Sequence, residues 1–345
     1  MKFLLAALLA LLLAACGKPA PVAQEAYVFG TRVEVLVWGA PEAAAHAALG
    51  EVLREFDRLH RTYHAWQPSE LTALNDAIAA GRPHEVAEEL AALIRTAQAL
   101  SAQGDHLFDP GIGRLVALWG FHDDEFKPAL PDAAALAALV AARPSIAKLR
   151  LDGRRVASAD SHVALDFGGY LKGVALDRAA AILKARGLGN ALINIGGNVL
   201  ALGSKGDMPW RVGIRHPRAE EAGGAPLATL ELRDGEAIGT SGDYQRFFEL
   251  DGRRYSHLID PRSGVPVEGT RAVTVLVPPG ADAGMLSDVL SKPLFVAGDD
   301  WRALAHKIGA AQVLRIDAAG GIVATAALRS RLTFEPADLP VSIVQ

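Results

Sequence analysis

Cysteine is almost missing from this chain: Cys16 is the single one among 345 residues, which excludes an intramolecular disulfide framework and a cluster of thiolate metal ligands. Neither sign of charge prevails, with 35 Lys and Arg against 39 Asp and Glu. A net charge of -4 leaves no basic surface of the nucleic-acid-binding kind and selects no charged polymer as partner. Charged residues are also sparse, 21% against 50% hydrophobic, a balance that excludes intrinsic disorder. After Gln24 there is no Ser- or Pro-rich linker, no low-complexity tract and no short-period repeat, so any two lobes pack into one unit. The length suits one large domain or two of ordinary size.

The one long apolar run lies at the start. Met1, Lys2 and Phe3 lead into Leu and Ala from Leu4 to Ala15, the length of a secretory signal and short of the roughly 20 residues that span a bilayer. It ends Leu13-Ala14-Ala15-Cys16-Gly17, which resembles the lipobox of bacterial lipoproteins. That resemblance implies cleavage before Cys16 and acylation of its thiol, with several chains giving a stable membrane anchor. Residues 1–15 then form a lipoprotein signal peptide, and residues 16–26 the lipidated cysteine and a tether containing Pro19 and Pro21. An ordinary cleaved signal with a free thiol, or a buried apolar helix, are the plainer readings of the same residues.

Periodicity sorts the remainder. Tyr27 to Trp38 alternates, with Val33, Val35 and Val37 on one side, as a half-buried strand does. Glu42 to Arg61 places Leu49, Leu53, Phe56 and Leu59 at helical spacing, and further Ala-rich helices are expected at Glu70 to Ala80, Val86 to Gln103 and Ala133 to Ala142. Beyond Ala147 strands dominate. Asp152-Gly153 and Asp251-Gly252 each mark a hairpin, because Asp-Gly supplies the positive φ of a type I′ turn. Strands are expected near Ala191 to Leu202, Trp210 to Arg215, Leu227 to Leu232, Ala272 to Val277 and Gln312 to Asp317, with helices at Tyr170 to Arg186 and Gly284 to Leu294. Without regular βαβ alternation, the class is α+β: mixed, mainly antiparallel sheets with packed helices.

Five segments are richer in Gly, Asp, Asn and His than a core requires. In Leu107-Phe-Asp-Pro-Gly-Ile-Gly113, Asp109 is placed to cap a helix beginning near Arg114, or simply to close a turn. Leu165 to Asp177 runs through Gly168 and Gly169 into a helix carrying Lys172, a layout that lets backbone approach a phosphate, or a tight strand-to-helix turn. It fits neither a P-loop nor a dinucleotide fingerprint. Asn194-Ile-Gly-Gly-Asn198 is a second double glycine, readable as a ligand loop or a plain turn. Gly239 to Arg246 and Tyr255 to Gly264 place His257 and Asp260 near Ser241 and Asp243 if the hairpin pairs as its turn implies, but no nucleophile elbow accompanies them. Gly284 to Gly298 sets Asp288 at i,i+3 and i,i+4 from Ser291 and Lys292, one helix face on which two groups can grip one ion, or a solvated Asp.

In order, these segments resemble the ApbE-like FAD:protein FMN transferases, commonly lipid-anchored periplasmic flavin enzymes, over about Tyr27 to Phe334. The matching landmarks are Phe29-Gly-Thr31, Pro68 to Asn75, Phe108-Asp109 with Leu118-Trp-Gly-Phe121, Asp166 to Gly173, Asn194 to Asn198, Thr240 to Tyr244, Ser256 to Pro261 and Ser287-Asp288. The resemblance implies one domain over residues 27–335 with a C-terminal tail, 336–345, and a site between a helical and a sheet-rich lobe. It implies Mg²⁺-assisted cleavage of FAD, with FMN passed to a Ser or Thr hydroxyl of an acceptor protein, an electron-transfer subunit, and AMP released. Matched by position, Phe29, Leu107, Phe108, Asp109, Asp166, Lys172 and Ile259 would contact FAD. The Gly169 carbonyl and Asp288 would hold Mg²⁺, His257 would assist proton removal, and Tyr63 or Trp66 would add an aromatic wall. One departure bears on the chemistry: where the family places a metal-binding Thr four residues after the helix aspartate, this chain has Lys292 followed by Pro293. Either Ser291 takes over as ligand, or Lys292 itself is the cation, or transfer is lost. FAD storage without transfer, FAD hydrolysis to free FMN and AMP, and solute binding by a transporter lipoprotein are the rival functions.

Overall fold

The computed structural model of the chain describes residues 20–123, 125–219 and 224–345. Cys16 and its lipobox lie outside them. Nine strands form the main sheet in the order Val22–Val28, Thr31–Val37, Ala191–Ile195, Asn198–Leu202, Ala237–Gly242, Thr270–Val277, Val313–Asp317, Ile322–Thr325 and Val341–Val344. Every pairing in it is antiparallel except the last, where Val341–Val344 runs parallel to Ile322–Thr325.

Both faces of the sheet are covered, which explains why Asn198–Leu202 is buried at every position although a half-buried strand would alternate. Val33, Val35, Val37, Ile193, Leu200, Val273 and Val275 join one core with Leu49, Phe56, Leu176, Leu183, Leu294 and Phe295 from the helices. Against the opposite face packs a three-stranded sheet, Leu332–Phe334, Ala228–Leu232 and Trp210–Ile214, which shares a second core with Val199, Ile238, Leu276 and Leu314. A third, aromatic cluster of Trp119, Phe121, Phe248, Tyr255 and Ile259 lies beside Leu115, and the Trp119 indole N–H donates to the Gly264 carbonyl at 2.7 Å.

The expected helices form at Glu42–Thr62, Glu70–Ala79, Glu88–Gln103, Ala133–Ala142, Leu171–Ala185 and Ala283–Val296. Five readings are corrected. The first strand region is a hairpin, Val22–Val28 against Thr31–Val37, turning at Phe29 (φ 57°) and Gly30 (φ 67°), so the residues from Val22 onward belong to the sheet and not to the tether. Ala191 to Leu202 likewise splits into two strands around Gly196 and Gly197, both at positive φ, making that double glycine a hairpin turn. Leu165 to Phe167 is irregular and not strand, and Gly168 and Gly169 form the turn into the helix. The 336–345 tail contains the sheet-edge strand Val341–Val344. Of the two Asp-Gly hairpins only Asp251-Gly252 has both residues at positive φ; in the other, Asp152 pairs with Arg155 and Gly153 alone turns left-handed.

Candidate active site

The site is built where two helices touch the sheet. Leu171–Ala185 and Ala283–Val296 approach so closely that a Cβ at Gly173 would lie 2.6 Å from Met285 Cα and 2.7 Å from Asp288 Cβ. Asp177 fixes the start of the second helix by accepting from the backbone N–H groups of Gly284 (2.7 Å) and Met285 (2.8 Å). The sheet meets the same helix at Gly239, where a Cβ would come within 2.2 Å of the Ser287 carbonyl oxygen. These glycines bring Asp288, Ser291 and Lys292 against the turn that carries Gly169.

Asp288 is buried, and both carboxylate oxygens are taken: Oδ2 accepts from Gly173 N at 2.9 Å, and Oδ1 accepts from Lys292 Nζ at 2.6 Å. The same ammonium also donates to the Asp288 carbonyl oxygen at 2.7 Å. Burial alone would push the Asp288 carboxyl up, but the ammonium groups of Lys292 and Lys172 override it and hold the group below its ordinary range. Burial also pulls Lys292 down, with Asp288 opposing and Lys172 adding to the pull. Ser291 Oγ turns away from the carboxylate, donating to the Asp288 carbonyl at 2.9 Å and lying 2.8 Å from Ser241 Oγ. Among the described residues no group of three or more His, Cys, Asp or Glu converges as a metal site. Of the donors expected for Mg²⁺, the Asp288 carboxylate and the Ser291 hydroxyl are engaged from within the chain, and with an ammonium already on the carboxylate the arrangement does not fit the ion.

Lys172 stands in the first turn of its helix, half-buried, with its charge acting on Asp166, His257, Asp288 and Lys292. Asp166 accepts from Gly168 N at 2.7 Å, and burial raises its carboxyl against the pull of Arg246, His64 and Lys172. His257 places Nδ1 3.1 Å from the Arg246 carbonyl oxygen. A carbonyl only accepts, so Nδ1 carries the proton and Nε2 is left with its lone pair. Burial first, then Lys172 and Arg246, push the imidazole down to about 3, so it is neutral at ordinary pH.

Of the other residues expected here, Phe108 is a wall: it is buried, faces Tyr170 at 6.4 Å between ring centroids, and lies beside Gly169. Phe29 sits in its turn with Phe56 at 6.1 Å and His60 at 5.7 Å. Leu107 and Ile259 are buried, each in a hydrophobic cluster. Asp109 caps no helix. It accepts from the N–H groups of Gly111 and Ile146, each at 2.8 Å, and from the Ser145 hydroxyl, so it clamps the Gly111 turn to the 145–146 segment. Tyr63 is also structural, buried with its hydroxyl on Glu89 at 2.9 Å, whereas Trp66 is half-exposed against His122. No triad forms from Ser241, His257 and Asp260, since Ser241 is held by Ser291 and Asp260 by Arg262 at 2.8 Å. Arg246 was not expected. Its guanidinium donates to the carbonyls of Phe121 (3.1 Å) and Asp123 (3.0 Å), while its own carbonyl positions His257.

The ApbE family model matches residues 29–314. A FAD:protein FMN transferase of Rhodobacter capsulatus is 43% identical over 327 residues, covering 94% of this chain and 61% of the relative, so the chain spans about three fifths of that protein's length. One from Klebsiella pneumoniae is 34% identical over 300 residues, covering 82% of this chain and 84% of the relative. Among solved structures, the ApbE protein of Thermotoga maritima superposes with a TM-score of 0.80 at 28% identity, covering 90% of this chain and 99% of that one. The flavin transferase ApbE of Vibrio cholerae superposes with a TM-score of 0.76 at 26% identity, covering 91% of this chain and 100% of that one.

Proposed function

The chain belongs to the ApbE family, and from that premise we propose that it transfers the FMN moiety of FAD to a Ser or Thr hydroxyl of an acceptor protein and releases AMP. The observation that carries this reading is that the ammonium charges of Lys172 and Lys292 both act on a neutral His257, while the Lys292 stem packs against Gly169. A diphosphate repels an oxygen nucleophile, and fixed cations and backbone N–H groups offset that repulsion without reorganising. In the reading, the acceptor oxygen bonds to the FMN phosphorus as the bond from that phosphorus to the bridging oxygen breaks. AMP leaves with the bridging oxygen, and the hydroxyl proton passes to His257 Nε2, which the Arg246 carbonyl leaves free to take it. Phe29, Phe108 and Asp166 would line the flavin and its phosphates. No step is assigned to Mg²⁺, because the Asp288 carboxylate that would hold it is engaged by Lys292 and Gly173.

The Leu13 to Gly17 motif supports a further part of the reading: a periplasm-facing lipoprotein held in the membrane by acylated Cys16, acting on an electron-transfer subunit. The saturated Asp288 supports a second reading, an FAD-binding lipoprotein that transfers nothing. Intact-mass analysis of an acceptor domain incubated with the chain and FAD separates them. An FMN-sized mass gain with equimolar AMP is expected. Free FMN with AMP would make the chain a hydrolase, and FAD binding without either product would make it a carrier.

A further inference from the structure

Resting on the transferase reading, we propose that the Lys292 ammonium occupies the cation position on Asp288, so that the charge facing the diphosphate is tethered covalently and no free divalent metal is needed. Three observations converge. Nζ donates to both Asp288 oxygens that face it, the carboxylate Oδ1 at 2.6 Å and the carbonyl at 2.7 Å, as a cation bridging them would. The remaining oxygen, Oδ2, is held by Gly173, and Ser291 is engaged with Ser241, so both side chains expected to ligate a metal are already engaged. The lysine stem is itself built in: its side chain is only 14% exposed, and a Cβ at Gly169 would fall 2.8 Å from Lys292 Cε and 3.1 Å from Cδ. Gly169 is thus shaped to admit the lysine, and the turn opposite Asp288 closes on the ammonium stem.

Charge arithmetic favours the arrangement over a competing metal. A divalent ion brought to Asp288 would sit within a few ångströms of the Lys292 ammonium and in the field of Lys172, and like charges at about 4 Å repel by several kcal/mol at a partly buried position. A single tethered charge beside Lys172 avoids that repulsion and needs no capture of an ion from solution.

The test uses Mn²⁺ as the probe, followed by electron paramagnetic resonance on the full-length chain, together with FAD affinity and acceptor mass with and without chelator. The wild type is expected to hold no Mn²⁺ at Asp288 and to form its FMN adduct at an unchanged rate in chelator. Lys292→Thr opens the oxygens and is expected to gain a Mn²⁺ site that Asp288→Asn removes. Lys292→Met keeps the stem packing without the charge; it should melt lower than the wild type because Asp288 loses its buried partner, and bind FAD about tenfold more weakly or worse. One equivalent of Mn²⁺ on the wild type that disappears in Asp288→Asn, or a Lys292→Met chain that binds FAD undiminished, overturns the proposal. An absent adduct under every condition would sink the transferase reading instead, and the Mn²⁺ titration and FAD affinities would still decide the role of Lys292.

Discussion

At the scale of the residue, His257 shows how one main-chain contact sets chemistry. The turn at Asp251-Gly252 pairs Leu250 with Arg253 and Phe247 with Ser256, and one step outward His257 N donates to the Arg246 carbonyl at 3.0 Å. That register was legible in the sequence, because Asp-Gly fixes a two-residue loop and every pairing beyond it follows by counting. The depressed pKa of the imidazole was not legible, since it depends on burial beside Phe121, whose ring lies 6.4 Å away across a long sequence gap, and on the charges of two lysines from two other helices. The consequence for pH has a definite sign. Between the ordinary 6.5 and the folded value of about 3, the unfolded chain binds a proton at this position that the folded chain does not, so stability falls as pH falls through that window. Denaturant melts across the window are expected to show a weaker acid slope for His257→Asn than for the wild type. Turnover of the wild type should show no inflection near 6.5; one that vanishes in the variant would mean that the imidazole titrates normally.

At the scale of the element, the helices were visible from their apolar spacing, and the reason they meet was not. Gly173 and Gly284 read in sequence as ordinary helix-weakening residues, yet each lies where a Cβ would strike the partner helix: at Gly284 it would come within 2.7 Å of Leu176 Cβ and of Asp177 Oδ1. The Asp288 site exists because this approach lets Gly173 N reach the carboxylate at 2.9 Å. Gly173→Ala would improve helix propensity in isolation but must push the helices apart, since what it meets at 2.6 Å is backbone. The net expectation is a loss of about 1–3 kcal/mol in denaturant unfolding, with FAD affinity falling as Asp288 and Lys292 shift. A variant as stable as the wild type would show that the two helices tolerate separation.

At the scale of the whole molecule, the first strand and the last strand of the described chain are the two edges of the nine-stranded sheet. Neither edge is fully legible in the sequence: Val22 to Ala26 reads as tether and Val341–Val344 as tail, because edge strands half-exposed to solvent carry too little apolar alternation to stand out. The first edge has a consequence for anchoring. Residues 17–21 separate Cys16 from the strand, so the strand begins within about 22 Å of the anchored Cα. Seven strand residues add roughly 23 Å and end at the Phe29-Gly30 turn, where a Cβ on Gly30 would lie 3.8 Å from the Arg246 guanidinium. An acylated Cys16 would therefore keep the flavin side of the molecule within roughly 45 Å of the bilayer. Cys16→Ser is expected to move the protein from the membrane to the soluble fraction with its melting temperature and FAD affinity unchanged, because the residue precedes the first strand of the sheet. The same variant should flavinylate a soluble acceptor domain normally and a membrane-embedded acceptor more slowly. Retention in the membrane fraction would remove the anchor from the reading, and equal rates on both acceptors would show that the short tether places no constraint on the reaction.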